Sequence, residues 1–75
     1  MKSVHFTFNN FFDYLNIAER LKPRATWIFN PDEFTLIFPY YFTSRGAIMY
    51  ITDLCKPLNI QFTTSLKVTE DIEWT

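Results

Sequence analysis

An α+β domain, with a four-stranded antiparallel sheet and two helices on one face, is what three features of this 75-residue sequence predict. Runs near each end alternate polar and apolar residues, the period of a half-buried strand. Two internal runs repeat apolar residues every three or four positions, the period of a helix. Between them, a turn signal built around a proline joins two extended stretches into a hairpin.

In the first strand Val4, Phe6 and Phe8 alternate with Ser3, His5 and Thr7. Asn9 or Asn10 can cap the helix that follows, in which Phe11, Tyr14, Leu15, Ala18 and Leu21 share a face and Pro23 sets the end. Residues 25–30 and 34–41 are the arms of the hairpin, joined by Asn30-Pro31-Asp32-Glu33, a type I turn with proline at its second position. An even loop pairs Phe29 with Phe34, Trp27 with Leu36 and Ala25 with Phe38, and sets Ile28, Thr35, Thr26 and Ile37 on the opposite side. The aromatic side is then core.

Ser44 or Thr43 can cap the second helix, whose apolar stripe is Ala47, Ile48, Ile51, Leu54, Cys55 and Leu58, and Pro57 limits its length. In the last strand, residues 60–68, Ile60, Phe62, Thr64, Leu66 and Val68 alternate with Gln61, Thr63, Ser65 and Lys67. Residues 1–68 make a single α+β domain, and residues 69–75 an acidic C-terminal tail. The order strand, helix, strand, strand, helix, strand resembles the ferredoxin-like, or split βαβ, sandwich. That resemblance is one of topology, which many unrelated functions share, so it implies a fold and no activity.

Composition narrows the function by exclusion. A 48% hydrophobic, 20% aromatic chain with one glycine is rich in core formers, yet so short a chain keeps little net stability without a staple or a partner. Cys55 is the only cysteine, so no intramolecular disulfide or Cys-rich zinc site is expected, and no cofactor motif is present. Net charge is −1 and the basic residues are scattered, which argues against nucleic acid and anionic membranes as partners. Arg20, Lys22 and Arg24 gather only where a helix C-terminus favours cations. No apolar run reaches the ~20 residues of a membrane span and the opening MKSVHFTFNN is too polar for a signal peptide, so a cytoplasmic protein is expected.

Catalysis is not expected either. His5 falls on a solvated strand face and Cys55 in an apolar stripe, which are ordinary structural places for both. Asp32 and Glu33 lie in a turn, and Glu70, Asp71 and Glu73 in the tail, without metal-loop spacing. RNA recognition motifs stack bases on aromatics of the first and third strands, but here His5, Thr7, Thr35 and Ile37 would fill those positions.

What remains is a protein-binding module. Its expected contacts are the open-face pair Ile28 and Ile37, the segment Tyr40, Tyr41 and Phe42 after Pro39, and Ile72 and Trp74 of the tail. Abundant Phe, Ile, Asn, Tyr and Lys suggest an AT-rich genome, such as a virus of low-GC bacteria. The specific expectation is a small phage-type inhibitor of a host enzyme or defence complex, anti-CRISPR-like in role. A homodimer joined through residues 25–30 is a further option. The alternatives are a nucleic-acid-binding regulator that uses the open sheet face and a small-molecule-sensing dimer.

Overall fold

Alternation in the first strand decides the layout, because it gives the sheet one apolar side and one polar side. The computed structural model describes residues 2–22, 27–40 and 43–68. Its elements are β1 (Lys2–Phe8), α1 (Phe11–Leu21), β2 (Ile28–Asn30), β3 (Thr35–Phe38), α2 (Ser44–Cys55) and β4 (Phe62–Val68), with 3₁₀ turns at Pro31–Glu33 and Lys56–Leu58. The strands form one sheet in the order β2-β3-β1-β4, and every neighbouring pair is antiparallel. The expected α+β class, with its four-stranded antiparallel sheet and two helices, is therefore present.

Val4, Phe6 and Phe8 of β1 and Leu36 of β3 are buried in one core with Tyr14, Ile17, Ala18 and Leu21 of α1, and Ala47, Ile51 and Cys55 of α2. A chain of rings runs through it. Tyr40 meets Phe38 at 5.8 Å, Phe38 meets Trp27 at 5.0 Å, Trp27 meets Phe6 at 5.6 Å, and Phe62 lies 5.9 Å from Phe6 and 5.8 Å from Phe8. Each tilted pair of this kind adds about 0.5–1.5 kcal/mol beyond the area it buries.

The hairpin keeps the expected parity but shifts its register by two residues. Ile28 pairs with Ile37, Phe29 with Leu36 and Asn30 with Thr35, so the pairings Phe29–Phe34 and Trp27–Leu36 do not occur. The loop is residues 31–34 and not 30–33, because Pro31 opens a 3₁₀ turn and Phe34 closes it in the left-handed region at φ 53°. Even parity still separates the aromatic side from the Ile/Thr side, which is why the error does not reach the core. Both arms are shorter than expected. β2 begins at Ile28 and β3 ends at Phe38, next to Pro39, which lacks the N–H a ladder needs. Ala25, Thr26 and Tyr41 lie outside the described residues.

Helix α1 starts where its sequence says, with the Asn10 side chain accepting a hydrogen bond from the Asp13 N–H at 2.9 Å. Its buried stripe is rotated from the expected one. Ile17 is inside, Leu15 is only half-buried and Phe11 reaches the surface, since the first turn extends over the hairpin loop and not the sheet. In α2 the buried stripe is Ala47, Ile51 and Cys55 with Leu54 half-buried against the core, while Ile48, and Leu58 in the 3₁₀ turn beyond, stay exposed. Ile60 precedes β4, and Thr64 and Leu66 remain exposed although they share the apolar parity of Phe62.

Candidate partner-binding surface

The residues expected to touch a partner fall in separate places. Ile28 and Ile37 are directly paired across the hairpin, on the face opposite the core rings, and Ile28 is 47% exposed. Tyr40 is 58% exposed, but its ring stands edge-on to Phe38 on the core side of the sheet. The structure therefore divides them between two faces. Tyr41, Phe42, Ile72 and Trp74 lie outside the described residues.

A third place was not expected from the sequence. Phe12, on the first turn of α1, is the most exposed large hydrophobic residue among those described, at 79%. Phe11 beside it is 42% exposed and touches Phe12 at 6.3 Å, Tyr14 at 6.0 Å and Phe34 at 6.5 Å. The capped helix start and the hairpin tip thus carry one aromatic cluster, anchored through Tyr14 to the core. From Phe12 a shallow depression continues along α1 past Leu15, Asn16, Glu19 and Arg20. The available signal was the stripe itself: Tyr14, Ile17, Ala18 and Leu21 make a complete inner face, and Phe12 is off it.

Both ends of this cluster are held rigidly. Asn10 caps the helix at Asp13 and its amide nitrogen donates to the Asp13 carboxylate at 3.3 Å. The Phe34 N–H donates to the Pro31 carbonyl at 3.3 Å, and the Phe34 carbonyl accepts from the Phe8 N–H at 2.9 Å. These bonds fix the backbone at the helix start and at the hairpin tip, while the Phe12 ring itself stays largely exposed.

The open sheet face carries small polar chemistry. Ser3 Oγ and His5 Nε2 share a hydrogen bond at 3.1 Å, the spacing of a nucleophile and its base. Ser3, however, is only 6% exposed, so the contact satisfies a buried hydroxyl. Burial lowers the His5 pKa below 6.5, Lys67 lowers it further, and Glu33 opposes them. The Thr35 hydroxyl donates to the Glu33 carbonyl at 2.8 Å and lies 3.1 Å from the Thr7 hydroxyl. Burial, with a smaller contribution from Asp13, raises the Cys55 thiol to about 11, so it stays protonated and unreactive near neutral pH. Among the described residues no group of His, Cys, Asp and Glu could hold a metal, and no helix is long and apolar enough to cross a membrane.

Compared with known proteins, the chain matches no family model, no curated protein and no solved structure.

Proposed function

We infer that this chain is a non-enzymatic protein-binding module on a ferredoxin-like scaffold, and that Phe12 is its anchor. The antiparallel order β2-β3-β1-β4 supports the scaffold. One observation carries the function: a phenylalanine 79% exposed on a capped helix turn, backed by Phe11 and Phe34. Rigid aromatic residues of this kind dominate the binding energy of protein interfaces.

Phe34 strengthens the reading through its backbone. Among the described residues two non-glycine residues have positive φ, Phe34 at 53° and Asn59 at 55°. Asn tolerates that region and is a common helix terminator, whereas a bulky phenylalanine there is an outlier of the sort that collects at functional sites. With its backbone in that region, the Phe34 ring stands 6.5 Å from that of Phe11. A second reading uses the open face through Ile28 and Ile37, which the direct pairing and exposure of Ile28 favour. The narrower role, a phage-type inhibitor of a host enzyme or defence complex, has composition as its support.

Capture from a lysate of a low-GC bacterium, with tagged wild-type, Phe12→Asp and Ile28→Lys chains of matched thermal stability, tests the proposal. A protein held by wild type and Ile28→Lys but lost with Phe12→Asp supports it, while loss only with Ile28→Lys moves the site to the open face. Capture indifferent to both changes, or salt-sensitive retention of RNA or DNA in place of a protein, overturns it.

A further inference from the structure

The two edges of the sheet differ in what they offer an incoming strand. Donation from the Phe8 N–H to the Phe34 carbonyl directs the backbone of Phe8, and by alternation that of Phe6 and Val4, toward β3. Thr7, His5 and Ser3 must then face β4, where they pair with Thr63, Ser65 and Lys67. The N–H and C=O groups of Phe62, Thr64, Leu66 and Val68 are left pointing outward. The same parity at the opposite edge leaves only Phe29 of β2 pointing outward. An edge of four outward residues, free of proline and glycine and carrying a single charge at Lys67, has few of the features that block pairing.

We propose that β4 pairs antiparallel with β4 of a second copy, which joins two four-stranded sheets into one of eight strands. The register centred on Ser65 brings all seven residues of each strand into the ladder and sets outward groups opposite outward groups, Thr64 facing Leu66 and Phe62 facing Val68. Charge is compatible with it: Lys67 falls opposite Thr63, so no like charges meet, and each copy carries a net charge of only −1. On the core side, Leu66, 50% exposed, lines a groove with Val4, Ile48 and Thr64, and a second copy would cover that apolar strip. An edge ~24 Å long and about two layers deep buries on the order of 1,000 Å² across both copies, the threshold for a specific association. Dimerisation at this edge leaves Phe12 free, so it is independent of the partner-binding proposal.

Hydrogen exchange on the full chain at about 1 µM and about 200 µM, together with sedimentation, reads the edge directly. The expected result is a concentration-dependent dimer in which the amides of Phe62, Thr64, Leu66 and Val68 gain at least tenfold protection and that of Phe29 does not. Thr64→Pro, which removes an outward N–H and no bond to β1, should abolish the dimer and keep the monomer folded. A monomer at both concentrations overturns the proposal. So does protection already complete in a species that sediments as a monomer, which would mean that the chain covers its own edge. Should Thr64→Pro not fold, the exchange pattern of the wild type still decides.

Discussion

Two aromatic clusters share this small domain in opposite settings. The inner one, Tyr40-Phe38-Trp27-Phe6-Phe62-Phe8, threads the core side of the sheet, with Phe6 fully buried and only Tyr40 largely exposed at its end. The outer one, Phe12-Phe11-Phe34, sits on a helix start and a hairpin tip, with Phe12 almost free of protein contact. Residue type does not separate them. Strand parity places Phe6, Phe8, Phe38 and Phe62 inward, whereas the outer rings belong to a helix start and a turn, where Phe34 is half-buried and Phe11 and Phe12 are exposed. Truncating a ring in each should therefore move different observables.

The largest effect belongs to the inner cluster. Phe6→Ala should cost about 3–5 kcal/mol, because a fully buried ring leaves a cavity that surrounding side chains fill only in part. Net stability of a domain this short is of the same order, so the variant should be largely unfolded at 37 °C by circular dichroism. A cooperative melt close to wild type would show that Phe6 is not the centre of the inner cluster. Phe12→Ala should do the reverse. Its effect on stability should stay within about 0.5 kcal/mol, the usual range for surface sites. Partner affinity should fall by about 2 kcal/mol, roughly thirtyfold, by calorimetry. Equal losses in stability and affinity would merge the two clusters into one.

The inner cluster was legible in the sequence because alternation fixes facing without fixing register. Phe29 and Leu36 lie on the aromatic side although their partners were misassigned by two residues. The outer cluster was legible only in part: helical period puts Phe12 off the inner stripe, but it does not show that Phe11, which shares the stripe's side, also reaches the surface. Phe34 was hidden for another reason. A strand-forming residue after Pro-Asp-Glu reads as the start of β3, and only the four-residue loop forces it into a left-handed backbone. Ile17 lies inside where Leu15 was expected, because either residue completes a helical period with Tyr14, Ala18 and Leu21.

The support beneath the outer cluster can be weakened without touching a ring. Asn10→Ala removes the side-chain acceptor for the Asp13 N–H and should lower stability by about 1 kcal/mol through fraying of the first helical turn. Affinity for the partner should fall with it, because a frayed turn no longer presents Phe12 in one orientation. Asn10→Asp, which can still accept the bond, should restore both. Loss of stability with undiminished affinity would mean that Phe12 binds without preorganisation.

The smallest effect tests whether the open face takes any part in binding. His5 lies there beside Ser3, with Lys67 of β4 on one side and Glu33 of the hairpin turn also near, and burial is the main reason its pKa is below 6.5. Because the folded state disfavours the imidazolium, the unfolded chain takes up its proton first as pH falls. The contribution to stability is therefore complete above about pH 6.5 and is lost as pH drops toward the lowered folded-state value. Melting temperature should decline between pH 7 and 5.5, above the range in which ordinary carboxylates titrate, and His5→Gln should flatten that slope. Equal slopes in the two proteins would show that His5 is fully solvated. The same imidazole then reports on the complex. If the partner docks on Phe12, the His5 titration followed by NMR should be unchanged on binding, whereas a partner covering Ile28 and Ile37 would bury His5 further and push its pKa lower still. A downward shift in the complex would transfer the binding role from the outer cluster to the sheet.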